Sequence, residues 1–147
     1  MNLRLVAAAA ALAATISAAG PAYAQSDPSS FAQAHVANVA AGNASALAAD
    51  YRPDAFLWWV GGPLDGTYGG ATAINAVWAK FSTSQGPLKA DVTDVSVAAN
   101  PNGQTIVADV VYTGAKGSIS VRQVMLLRGG HLQDEVWQIA PKGVINR

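Results

Sequence analysis

The periodicity of apolar side chains changes once along this chain, near Pro87. Before that point apolar residues recur every three or four positions, as at Ile74, Trp78 and Phe81, which is the spacing of an amphipathic helix. After it the period becomes two and β-branched residues dominate, which is typical of half-buried strands. Helices followed by consecutive strands predict an α+β fold in which the helices pack on one face of a sheet.

The helical part begins with two predicted helices. Ser30 and Gln33 have the spacing of a capping box, in which the hydroxyl and the amide satisfy free N–H groups at a helix start. Asn43 is a suitable cap for a second helix over 44–50, and Pro53 prevents that helix from continuing. We therefore expect two helices that meet at a corner.

The remaining elements follow from bulky and β-branched runs between turn residues. Residues 56–60 predict a short strand, and 66–70 predict a tight connection into the third helix. The connections between the later strands are short enough for an antiparallel meander. These later strands are expected over 88–99, 105–113, 118–128 and 132–139.

Residues 1–24 have the pattern of a removable secretory signal. Arg4 gives a positive start, the apolar run over 5–19 is too short to span a bilayer, and a small-x-small site ends at Ala24. We expect cleavage after Ala24, a single domain over 25–147 and a periplasmic or secreted product. No later segment is long and apolar enough to predict a membrane span.

The composition excludes several classes of function. The chain has no cysteine, which excludes disulfide scaffolds, thiolate metal sites and cysteine nucleophiles. Nine Lys and Arg residues balance nine Asp and Glu residues, so no basic surface for nucleic acid is expected. Charged residues make up only 12% of the chain, so we expect part of the surface to be covered by a partner subunit or folded around a pocket.

No metal site and no cofactor are predicted. His35 and His131 are far apart and have no carboxylate at the spacing of a metal ligand. The glycines before the third helix lack the lysine and the distal acid of a phosphate-binding loop. The chain also has no Gly-x-Ser-x-Gly nucleophile motif.

Several short motifs of this chain occur together in one known family. They are Ala41-Gly42-Asn43 followed by Leu47, Tyr51 to Ala55, Gly66 to Gly70 leading into Ala73, Ile74 and Trp78, and Arg128 to Leu132 before Trp137. Over residues 31–139 the chain resembles the nuclear transport factor 2-like superfamily, and within it the SnoaL-like group. The resemblance implies a curved, cone-shaped antiparallel sheet wrapped by three helices around a cavity, often with a homodimer interface on the convex face.

The ketosteroid isomerases of that superfamily suggest which positions face the cavity. Their general-base carboxylate corresponds to Trp59 here, so the resemblance implies that this base is missing. Their two oxyanion-binding residues correspond to His35 and Gln123, which retain groups able to hold a carbonyl oxygen.

Strand alternation predicts the other residues that line the cavity. Glu135 is the one carboxylate expected inside, where burial among apolar side chains would raise its pKa into the range of acid–base catalysis. A register error of one residue would instead turn Glu135 to solvent. Asp109 is expected on the convex face. The inward-facing set is Ile106, Ala108 and Val110 on one wall and Glu135, Trp137 and Ile139 on another.

Each candidate residue also has a structural interpretation. His35 is suited to proton transfer near neutral pH, but it is equally explained as a buried histidine satisfied by a neighbour. Gln123 has the same two interpretations. Trp59, Trp78 and Trp137 are either core residues or a stacking surface, and with few cations nearby they favour an apolar or aromatic ligand over a charged metabolite.

Two functions are expected. In the first, a secreted protein binds a small, mainly apolar molecule, with His35, Gln123 and Glu135 as polar anchors. The sequence leaves turnover open; if a reaction occurs, we expect cofactor-free isomerase-, dehydratase- or cyclase-type chemistry in which His35 or Glu135 moves the proton. In the second, a non-catalytic module pairs with itself or with an envelope partner through the outer sheet face. The second predicts a cone filled by Trp59, Trp78 and Trp137, with no polar group exposed inside.

Overall fold

A computed structural model describes residues 27–140, which form three helices and one six-stranded sheet. The predicted signal segment and its cleavage site lie outside these residues. The elements, in chain order, are α1 (Pro28–Ala41), α2 (Ala44–Asp50), β1 (Tyr51–Val60), β2 (Gly66–Gly69), α3 (Gly70–Gln85), β3 (Lys89–Asn100), β4 (Gly103–Gly114), β5 (Gly117–Arg128) and β6 (His131–Ala140).

The sheet is curved and does not close into a barrel. Its strand order is β2-β1-β6-β5-β4-β3. Strands β3 to β6 form the predicted antiparallel meander, and β6 then pairs in parallel with β1. The α+β class and the curved sheet with three helices are confirmed. Within residues 27–140, no helix combines the length and the apolar character needed to cross a membrane.

The first helix begins earlier than the sequence predicts. Its cap is Asp27, whose carboxylate accepts a hydrogen bond from the Ser30 backbone N–H at 3.2 Å. Ser30 therefore lies inside α1, and the predicted capping box is wrong. Gly42 ends α1 in the left-handed conformation at a φ of 69°. Asn43 caps α2 as predicted.

The first strand is longer than predicted and starts directly after α2. Its register against β6 shifts between Tyr51 and Phe56, around Pro53, which cannot donate a hydrogen bond to the ladder. The predicted connection over 66–70 contains the short strand β2, which pairs with β1 from Phe56 to Trp59. Because turn residues dominate this segment, its pairing with β1 was not visible in the local sequence.

The three helices cover the concave face of the sheet and enclose the core. The predicted apolar stripe of α3 is buried, including Trp78 and Phe81. On β1, Trp59 faces this core while Trp58 faces the opposite side, as strand alternation predicts. Asp109 lies on the convex side, where its carboxylate forms two hydrogen bonds with Arg122 at 2.8 and 2.7 Å.

Candidate functional site

Glu135 lies at the centre of a buried polar network. Strand β6 holds it on the helix-covered face, and its side chain has no exposed surface, so it does not turn to solvent. One carboxylate oxygen, Oε2, accepts a hydrogen bond from the Tyr51 hydroxyl and lies 3.3 Å from His35 Nε2. The other oxygen, Oε1, accepts a hydrogen bond from Gln123 Nε2 at 3.0 Å. The three polar residues predicted inside the cone are therefore in one cluster.

His35 connects two carboxylates that come from different parts of the chain. Its Nδ1 lies 2.8 Å from Asp50 Oδ2 at the end of α2, while its Nε2 faces Glu135 on β6. The side chains of His35 and Glu135 are fully buried, whereas that of Asp50 is 25% exposed. Of these three charged groups, only Asp50 reaches solvent.

Aromatic side chains donate two further hydrogen bonds to the network. Trp78 Nε1 donates to the Tyr51 hydroxyl oxygen at 3.2 Å, and the Tyr112 hydroxyl donates to Gln123 Oε1 at 3.0 Å. The Gln123 amide thus accepts one hydrogen bond and donates another, so its orientation is fixed. A buried polar network of this kind is stabilising only when its members have partners.

The network keeps His35 and Glu135 ionised. Burial alone would lower the pKa of His35, but the carboxylates of Glu135 and Asp50 outweigh it and raise the pKa to about 9. Burial alone would raise the pKa of Glu135, but His35 and the hydrogen bonds from Tyr51 and Gln123 hold it below its usual value. The expectation of a raised Glu135 pKa is wrong, because it left out the partners that other elements supply.

The two buried tyrosines remain protonated donors. Burial raises the pKa of Tyr51 well above its ordinary value, and the neighbouring Glu135 carboxylate raises it further. The pKa of Tyr112 is raised by the same two causes. At neutral pH, therefore, both hydroxyls donate hydrogen bonds and neither is an available base.

An aromatic cluster fills the cone beside this network. The ring centroids of Trp59, Trp78 and Trp137 lie 5.0 to 5.4 Å apart, and Phe81 packs against all three. Their side chains are almost completely buried. Trp78 contacts the network through Tyr51, so the cluster bridges the buried charges and the open end of the cone. This filling is the arrangement that the non-catalytic hypothesis predicts.

An open cavity of about 570 Å³ lies beyond the aromatic cluster. It is bounded by α3, by the connection between β1 and β2, and by the adjoining ends of β5 and β6. Its walls are mainly apolar, and its residues are Trp59, Gly62, Pro63, Leu64, Lys80, Phe81, Ser84, Gln85, Ser118, Ile119, Ser120, Ile139 and Ala140.

Two of the predicted ligand-binding residues, Trp59 and Ile139, line this cavity. His35 and Glu135, the predicted catalytic pair, are not among its lining residues and are fully buried. The remaining predicted lining residues are also fully buried and are absent from its walls: Trp78, Ile106, Ala108, Val110, Gln123 and Trp137.

Sequence reasoning missed Asp50 and Tyr51 as members of the network. A signal for Asp50 was present. A carboxylate in the last turn of a helix is destabilised by the negative end of the helix dipole, which indicates that it has a stabilising partner elsewhere. Tyr51 gave no such signal, since an aromatic residue at a strand start is ordinary. The cavity wall formed by Leu64, Phe81 and Ile119 was also missed, because it depends on how a loop closes over the sheet.

No metal site is formed by the described part of the chain. Within residues 27–140, no three or more His, Asp or Glu side chains are grouped so that they could hold a metal ion. The carboxylates beside His35 are instead engaged by the imidazole and by neutral donors.

Comparisons with known proteins identify the fold. No known family model matches the chain, and no curated protein matches it. Among solved structures, an NTF2-like protein of unknown function from Pseudomonas putida KT2440 has a TM-score of 0.67 at 18% identity, covering 83% of this chain and 89% of that one. A second, from Mesorhizobium loti, has a TM-score of 0.61 at 15% identity, covering 77% and 90%.

A third similar structure is described as having a cystatin-like fold. This protein of unknown function with a cystatin-like fold, from Nostoc punctiforme PCC 73102, has a TM-score of 0.62 at 11% identity and covers 80% of this chain and 92% of that one. The predicted nuclear transport factor 2-like fold is confirmed. Identities this low show the fold alone, because one fold carries many unrelated functions.

Proposed function

We propose that this protein binds a small, mainly apolar molecule in the cavity at the open end of the cone. The cavity itself carries the proposal, since about 570 Å³ lies within the range of ordinary ligand pockets. Trp59 and Phe81 form an aromatic wall whose ring centroids lie 5.3 Å apart, and Ile139 adds aliphatic surface. This fold supports ligand-binding and enzyme-like domains in general.

The proposed function is binding without acid–base turnover by the buried pair. His35 and Glu135 do not line the cavity, and the aromatic cluster packs on their network. A raised His35 pKa and a lowered Glu135 pKa also remove both groups from the half-protonated state that general acid–base catalysis uses near neutral pH. In this proposal the network instead holds α1, α2 and the inner strands together around the cone.

The proposed place of action is outside the cytoplasm. Residues 1–24 have the charge, apolar run and cleavage motif of a secretory signal. The absence of cysteine makes folding independent of the redox state of that compartment. We therefore infer a periplasmic or secreted binding protein.

Nile red, a neutral apolar dye, is expected to bind in the cavity with a blue-shifted and enhanced emission. Ile119→Trp places an indole in the cavity wall and should weaken dye binding at least about tenfold. Val60→Trp adds the same indole at a side chain that is 42% exposed outside the cavity, and should leave dye binding unchanged. Equal binding to both variants, or no binding to the parent protein, would contradict the proposal.

A second function, self-association through the convex face, is favoured by a separate observation. On β1, Phe56 and Trp58 are 44% and 46% exposed on the side that the helices leave uncovered. Trp58 continues into a row of half-buried valines across the sheet at positions 136, 124 and 107. A contiguous apolar face of this kind is typical of a protein interface.

Sedimentation velocity tests this second function. We expect a homodimer at micromolar concentration, and Trp58→Lys should weaken it at least about tenfold because a tryptophan that the partner subunit would cover is replaced by a charge. Val97→Lys makes the same change at another exposed strand position, on the opposite face of the sheet, and should leave the dimer intact. A purely monomeric parent protein would contradict self-association without affecting the cavity proposal.

A further inference from the structure

We propose that the ligand of the cavity carries a single carboxylate, which pairs with the Lys80 ammonium group while its apolar body lies on Trp59 and Phe81. This inference rests on the proposed function and specifies its ligand class.

Among the described residues that line the cavity, all within 27–140, Lys80 is the only one with a charged side chain. Helix α3 places it directly before Phe81, at the edge of the aromatic wall. Lys80 is exposed, and it has no hydrogen bond or ion pair with any residue in 27–140. An unpartnered ammonium group beside an apolar surface favours an amphipathic anion, because burial of the apolar body brings the anionic group to the cation.

The other charges near the rim are engaged by backbone groups. Lys116 donates a hydrogen bond to the Ser84 carbonyl oxygen in the last turn of α3, where it offsets the negative end of the helix. Asp65 accepts a hydrogen bond from the Gly61 backbone N–H at 2.6 Å. In the part of the chain that the structure describes, Lys80 is therefore the cation beside the cavity that remains available, and one ammonium group matches a monocarboxylate better than a phosphate dianion.

The cavity wall includes one residue with an unsatisfied buried donor. The Trp59 indole N–H is buried and has no hydrogen-bond partner in the described chain. The Ser84 hydroxyl, by contrast, already donates to the Phe81 carbonyl oxygen at 2.9 Å. The described lining residues also include no carboxylate, so this wall repels no anion. This departs from the expectation that a pocket lined by tryptophans and poor in cations favours an apolar or aromatic ligand over a charged metabolite.

Competition against Nile red tests the inference with two probes of similar shape. 2-Naphthoate carries the carboxylate, and 2-acetylnaphthalene has a neutral carbonyl on the same ring system. We expect 2-naphthoate to displace the dye at about three- to fivefold lower concentration than 2-acetylnaphthalene, as for a solvent-accessible ion pair in low salt. Lys80→Met should abolish this difference while 2-acetylnaphthalene still displaces the dye.

Lys116→Met is the matched control, because it removes a nearby ammonium group that is engaged by the helix end. It should keep the difference between the two probes, and 0.5 M NaCl should reduce the difference in the parent protein. Equal displacement by both probes, or a difference that survives Lys80→Met, would overturn the carboxylate inference and leave the cavity proposal standing. Failure of both probes against bound Nile red would also overturn the inference, whereas failure of Nile red itself to bind would overturn the proposed function.

Discussion

Glu135→Leu is expected to lower the free energy of unfolding by about 3–5 kcal/mol, the typical effect of removing one member of a buried ion pair. The substitution leaves His35 with Asp50 as its only anionic neighbour, and it removes the acceptor of the Tyr51 hydroxyl and of the Gln123 amide. The side chains of His35, Tyr51 and Gln123 are fully or almost fully buried, so they cannot turn to water without opening the core. Urea denaturation followed by tryptophan fluorescence measures the change.

Two further variants separate this explanation from a general effect of losing a carboxylate. Asp91→Leu makes a similar change on the exposed strand β3, where the carboxylate has no hydrogen bond or ion pair within residues 27–140, and should alter stability by less than about 0.5 kcal/mol. The double variant His35→Leu with Glu135→Leu should recover part of the loss, because no fully buried charge is then left unpaired and Asp50, which loses its partner, is 25% exposed. If Glu135→Leu and Asp91→Leu had similar effects, the network would not be a source of stability.

The sequence was sufficient to place most side chains on the correct face of the sheet. The period of two in β4 and β6 correctly put Glu135 and Trp137 inside and Asp109 on the convex side. Alternation is a local property, so it survives errors of one or two residues in the strand ends. The same local patterns gave the bounds of α2 correctly and located the buried apolar stripe of α3.

Whether the inside of the cone is open or filled could not be predicted from these local sequence patterns. Whether Trp59, Trp78 and Trp137 line an empty space or fill it depends on side-chain volumes brought together from β1, α3 and β6. The pKa of Glu135 depends on Tyr51, which lies 84 positions away, and on His35, which lies still farther away in the sequence. These are long-range properties, and a single sequence contains no direct signal for them.

The free energy of unfolding is expected to fall by about 3 kcal/mol between pH 6.5 and pH 9.5. The folded protein raises the pKa of His35 from 6.5 to about 9, so over this range the native state binds more protons than the unfolded state. The stabilisation is fully present below pH 6.5 and is lost as the pH rises through 9. Tyr51 and Tyr112 stay protonated in the native state here, because their pKa values are raised above the ordinary value of 10.0.

The stabilisation that comes from the lowered pKa of Glu135 has the opposite dependence on pH. Its stabilisation is present above the ordinary pKa of 4.5 and is lost as the pH falls through the lower value of the folded state. Both contributions are complete only between pH 4.5 and 6.5, so the stability maximum should lie in that interval. An exposed histidine would give no such maximum, because its pKa would change little on folding.

Urea midpoints at pH 6, 7, 8 and 9 test this dependence. His35→Gln should remove most of the decrease above pH 6.5, whereas His131→Gln, which alters an exposed histidine in β6, should retain it. A midpoint that stayed level or rose over this range in the parent protein would mean that His35 is neutral in the native state. In that case the proton assigned to His35 would be held by another group of the network, and His35 and Glu135 would again be candidates for acid–base chemistry.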